Sequence, residues 1–113
     1  MDLTPKQKKL IESLKSATKN DLILWGETAD ELSFRTVFNS GMVRVEKFTM
    51  YNSDQKYQLV IFNKEGYEVD RFTWEEPEVS SDPNLWQLAR RKAMNSESLI
   101  DGILQELEGK LVS

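Results

Sequence analysis

LSFRTVFNSGMVRVEKFTMYNSDQKYQLVIFNKEGYEVDRFTW, residues 32–74, is a run of four extended segments cut by three polar turns. In 32–38 apolar and polar residues alternate, with Phe34, Thr36 and Phe38 on one side, the period of a half-buried strand. Asn39-Ser40-Gly41 reads as a turn in which Gly41 is predicted to supply a positive φ. In 42–51 Val43 and Val45 share one face while Phe48 and Met50 have the opposite parity, which predicts a bulge near Glu46–Lys47. After the turn at Asn52-Ser53-Asp54-Gln55, KYQLVIF at 56–62 is apolar on both faces, as an interior strand would be. Asn63-Lys64-Glu65-Gly66 turns the chain again, and 67–74 changes parity between Val69 and Phe72. Turns this short make antiparallel hairpins the economical topology.

On the N-terminal side, Leu22-Ile23-Leu24-Trp25-Gly26 is predicted to be a first strand or an extended lead-in to the sheet; an extension of the first helix is the rival. Before it, Thr4, Pro5 and Gln7 form a helix start: N-cap, first-turn proline and capping-box partner. Leu10, Ile11, Leu14 and Ala17 follow at helical spacing, and Asn20 is a predicted stop. On the C-terminal side, 75–82 (EEPEVSSD) is predicted to be an acidic loop, and Asp82-Pro83 the start of a second helix with Leu85, Trp86, Leu88, Ala89, Ala93 and Met94 along it. Asn95-Ser96 marks a break, with Ser96 as a new cap. Leu99, Ile100, Ile103, Leu104, Leu107 and Leu111 then recur at helical spacing, with Gly109 as a stop.

Helices before and after a sheet, without β-α-β alternation, predict an α+β fold. The expected architecture is an N-terminal helix, an antiparallel four- to five-stranded β-meander, and two C-terminal helical segments packed on one sheet face, in a single domain over residues 1–113. The expected core holds Leu10, Leu14, Val43, Val45, Tyr57, Leu59, Ile61, Leu99, Ile103 and Leu107.

Composition narrows the chemistry. The chain has no cysteine, hence no disulfide, thiolate nucleophile or cysteine-based metal site. It has no histidine either, which removes the commonest general base and metal ligand. The net charge of −4 argues against broad electrostatic binding to nucleic acid. The charge is uneven: residues 1–20 carry five lysines against Asp2 and Glu12, while 75–82 carry four acids and no base. No apolar run is long enough for a signal segment or a membrane span, so a soluble, cytoplasmic protein is expected.

Few constellations remain. Glu68 and Asp70, two apart on one strand, are expected to share a face, with Glu46 as a neighbour. Such carboxylates could hold a divalent cation or tune a pKa upward, although alternating charges on a strand ordinarily form a solvated face. Arg90-Arg91-Lys92 could grip an anion, but successive helical residues point apart, and pairing with the acidic loop or with Glu97 and Asp101 is the simpler expectation. No glycine pattern forms a phosphate cradle. The aromatics offer the sharpest hint. With Tyr57, Leu59 and Ile61 facing the helices, Val60 and Phe62 face away, and Phe48, Met50, Phe72 and Trp74 are candidates to join them in an exposed apolar patch. The alternative is that Trp25 or Trp86 folds over that face.

The function expected from these residues is a non-catalytic protein-interaction module: an adaptor, an inhibitor or immunity-type protein, or a homodimerising domain. Its candidate surface is Phe48, Met50, Val60, Phe62, Phe72 and Trp74. No catalytic residue, metal ligand or cofactor is assigned. The alternative is a small-ligand-binding domain or a carboxylate-dependent enzyme.

Overall fold

A computed structural model of the chain describes residues 3–48, 54–77 and 83–112. It shows the α+β arrangement in the expected order. Helix α1 (Pro5–Lys19) precedes five strands, β1 (Gly26–Glu27), β2 (Ser33–Phe38), β3 (Gly41–Phe48), β4 (Asp54–Asn63) and β5 (Glu68–Pro77). Two helices follow, α2 (Leu85–Ala93) and α3 (Ser96–Val112). The strands form one antiparallel sheet in sequence order, as short connections dictate.

The caps explain the helix starts. Thr4 Oγ1 accepts from the Gln7 amide at 3.1 Å while the Thr4 amide donates to Gln7 Oε1 at 2.9 Å. The same box opens α2 two residues later than expected: Asn84 is its N-cap, with Gln87 as the reciprocal partner. Asp82 lies outside the described residues. An Asn that caps on both sides of its backbone outcompetes the cap-plus-proline signal upstream. At the end of α1 the left-handed residue is Asp21 (φ 56°), with Asn20 still at φ −94°.

Side chains of one sheet parity meet α1 and α2. Phe34, Val43, Val45, Tyr57, Leu59 and Phe72 form one buried cluster with Ile11 and Leu14 of α1 and Leu85, Trp86 and Ala89 of α2. Burying each such side chain is worth about 1.5–3 kcal/mol. The buried polar side chains of Thr18, Trp25, Tyr57, Asn84 and Trp86 are paired, while Ser33 Oγ is buried without a partner among the described residues. Trp25 Nε1 donates to Thr18 Oγ1 (2.9 Å), whose hydroxyl donates to the Leu14 carbonyl (2.6 Å). Asn84 Nδ2 donates to Tyr57 Oη (2.8 Å), and Trp86 Nε1 to the Leu32 carbonyl (3.0 Å). These bonds cost little to form and much to leave unmade.

Several local expectations change. Strand pairing on the N-terminal side begins only at Gly26, so Leu22–Trp25 are a lead-in beside the sheet. Gly41 has no positive φ; its role is clearance, because a Cβ there would collide with the Phe62 carbonyl oxygen on β4. The positive φ belongs to Gly66 (92°), in a turn closed by Asn63 Oδ1 accepting from the amides of Glu65 and Tyr67. No bulge interrupts β3 at Glu46–Lys47: pairing with β4 is continuous, and Phe48 keeps the outward parity of Arg44 and Glu46. The parity change in β5 is real. Ile61 pairs with Asp70 and Phe62 with Glu68, leaving Val69 as the extra residue. Strand β5 continues through Glu75 and Glu76 to Pro77; the rest of the expected acidic loop lies outside the described residues.

The largest departure is α3. Leu99, Ile103 and Leu107, expected in the core, are exposed. The helix runs through Gly109 instead of stopping there. Ser96 does not cap it: its hydroxyl turns back to the Arg91 carbonyl at 3.4 Å.

Candidate functional site

The expected interaction surface is split by the register. Phe72 pairs with Leu59 and Trp74 with Tyr57, so both face the helices and pack with the core. Trp74 lies 5.9 Å from Tyr57 and 6.4 Å from Phe72, ring centre to ring centre. Val60 and Phe62 do point to the far face, but Val60 is fully buried there. Its lateral neighbours are Arg44 on β3 and Arg71 on β5, whose aliphatic stems cover apolar surface while their charges stay wet. Arg44 also lies over the Phe62 ring at 5.1 Å. Phe48 is partly exposed at the end of β3, and Met50 lies outside the described residues. Neither tryptophan folds over that face: Trp25 and Trp86 both belong to the helix-side core.

The far face is therefore a charged lattice. Arg44 Nε donates to Glu46 Oε1 at 2.6 Å, and Gln58 Nε2 to Glu46 Oε2 at 3.1 Å. Arg71 binds Glu68 with two nitrogens, at 2.5 and 3.2 Å. That hydrogen bond, helped by the charges of Arg71 and Arg44, holds the Glu68 carboxyl below its ordinary range. The bulge at Val69 places Glu68 and Asp70 on opposite faces, so the expected carboxylate pair does not form. No acidic group of three or more residues is arranged to hold a metal ion among the described residues.

Of the basic run on α2, Lys92 is paired, and its partner is Asp21 ahead of the sheet, not the expected Glu97, Asp101 or acidic loop. Lys92 Nζ meets Asp21 Oδ1 at 2.7 Å, and this hydrogen bond raises its pKa. Arg90, Arg91 and Lys92 also occupy the last turn of α2, where positive charge complements the helix dipole. Beside them a cleft of 440 Å³ opens between Ile23, Leu24, Trp25, Leu88 and the start of α3.

The surface that the sequence reading missed is α3 itself. Leu99, Ile100, Ile103, Leu104, Leu107 and Leu111 are 48–83% exposed. At 100° per residue they fall within a stripe about 140° wide. Asp101, Gln105 and Glu108 occupy the opposite side. The helical spacing of the six was visible in the sequence. Their lack of a partner was not, because periodicity reports that a face is apolar without saying what it meets. No protein-family model, curated protein or solved structure matches the chain.

Proposed function

We propose that this chain is a non-catalytic protein-interaction module, acting in the cytoplasm, whose working surface is the apolar stripe of α3. One observation carries the reading: six leucine and isoleucine side chains on one helix face stand in solvent. A contiguous apolar patch of this kind on a surface helix commonly marks an interaction site.

The helix needs a partner for its own stability. A lone helix of this length is marginal in water, and Gly102 and Gly109 each subtract about 1 kcal/mol relative to alanine. Burial of the stripe would offset both costs. Asp101 and Glu108 lie across α3 from the stripe, Glu97 and Glu106 flank it, and Lys110 is the one base of the helix. An acidic face of this kind repels an anionic bilayer, so a protein surface is the fitting partner. The rival readings draw less support. A carboxylate-dependent enzyme calls for a carboxyl pushed upward, and Glu68 is held down. The cleft beside Trp25 suits a small ligand in size, but its Lys92 and Asp21 neutralise each other.

A photo-crosslinking side chain at Leu104, on the stripe, is expected to form protein adducts in living cells. The same group at Gln105, on the other side, is expected to form few. The double variant I103E/L107E is expected to abolish the adducts formed from position 104 while the body of the domain still melts cooperatively. Equal adducts from both positions, or a double variant that no longer folds, would overturn the reading.

A further inference from the structure

A second exposed apolar patch lies on the body of the domain. Leu22, Leu24, Val37 and Phe38 line one open groove of 630 Å³ at the sheet edge, with Arg35 on its rim. Leu24 is 88% exposed and Val37 70%. The groove follows from the brevity of β1. That strand pairs only with Phe34 and Arg35, so Thr36–Phe38 have no strand outside them among the described residues. An edge left bare beside an apolar trough is what proteins ordinarily cover or blunt.

Resting on the reading of α3 as the working surface, we infer that its partner is a second copy of this chain, bound by reciprocal exchange. The two α3 helices lie antiparallel, and the C-terminal end of each seats in the Leu22–Phe38 groove of the other copy. This is an isologous, two-fold arrangement, the commonest closed symmetry.

Three observations carry the inference. The first is extent. A stripe about 140° wide exceeds the narrow seam of a simple helix pair, so a second α3 covers part of it and another surface takes the rest. Six residues a side also fall well short of the roughly 20–30 a side of a stable interface; the groove and its rim enlarge the contact. The second is placement. Glu97 and Ser98, at the start of α3, share a cleft with Leu24, and Leu24 also lines the groove. Each helix therefore begins beside its own groove. Laying two such helices antiparallel brings the end of each to the start of the other, where the other groove is. The third is charge. Lys110 falls within the stripe and Glu97 and Glu106 at its two edges, so antiparallel pairing sets Lys110 of one copy near Glu97 of the other and turns Glu106 toward the side of Arg35. A parallel pair would set Glu97 beside Glu97.

The absence of native cysteine makes a proximity test clean. Leu111→Cys and Val37→Cys are placed on separate chains, mixed and oxidised, with Leu111→Cys plus Lys64→Cys as the control. Light scattering over a concentration series follows the wild type, I103E/L107E and L24E/V37E, with thermal melts to confirm folding. The wild type is expected to approach twice its 13.1 kDa monomer mass. Both double variants are expected to weaken self-association about tenfold or more, and the 111–37 disulfide to form without the control one. A wild type that remains monomeric throughout overturns the second copy as occupant; α3 as the working surface is then decided separately by the crosslinks from position 104. Dimers that survive L24E/V37E but not I103E/L107E, with no 111–37 disulfide, overturn the groove and leave the α3 reading standing.

Discussion

Gly41 sits where β3 runs so close to the Phe62 carbonyl that a methyl group has no room. Gly41→Ala is expected to destabilise the fold by about 1–3 kcal/mol, the usual cost of overpacking, read as a lowered midpoint in denaturant unfolding. Glu68 and Arg71 offer a test of a different kind. The Arg71 hydrogen bond lowers the Glu68 pKa from its ordinary 4.5. A carboxyl depressed in the folded state favours folding above its unfolded pKa, and that contribution fades as pH falls through the folded value. A carboxyl NMR titration is expected to place the Glu68 midpoint below 4.5, and Arg71→Ala to return it toward that value. Because the pair is exposed, the melting temperature should barely respond.

Among the elements, α1 and α2 owe their stability to reciprocal caps and to a face sunk in the core, whereas α3 has neither a capping box nor a buried stripe. Its helicity is thus the most conditional in the molecule. A Cβ at Gly102 or Gly109 would touch nothing, so G102A/G109A is expected to stabilise α3 by about 1 kcal/mol per site. Circular dichroism at 222 nm should show increased helicity in dilute solution, with little change in the thermal midpoint of the sheet-and-helix body. On the far sheet face Val60 is buried with Arg44 and Arg71 as its neighbours on the flanking strands, positions from which long arginine stems can shield apolar surface.

At the scale of the whole molecule, the radius of gyration is 16.4 Å, against about 13 Å for a compact domain of this length. The extents of 57 × 36 × 25 Å say the same. The excess is consistent with a helix that adds length without adding core. A chain ending after Asn95 is expected to keep its cooperative unfolding and near-native melting temperature, because the buried cluster contains no α3 residue. Small-angle scattering of that shorter chain should give a radius near the compact value. A truncated chain that fails to fold would show that α3 supports the body.

Local pattern carried most of the architecture. Alternation and turn residues in 32–74 placed the antiparallel strands, the parity change at Val69 announced its bulge, and Thr4, Pro5 and Gln7 marked the start of α1. These features depend on neighbours within a few residues, so they are written into short windows of sequence. What faces what is not. Gly41 answers to a carbonyl on another strand, a one-residue bulge turns Phe72 and Trp74 to the face opposite the expected one, and Val60 is buried between arginines on two flanking strands. The six apolar residues of α3 obey the same period as those of α1, and only three-dimensional packing leaves one set buried and the other in water. Burial is a property of distant surfaces brought together, and helical or strand periodicity holds no information about that distance.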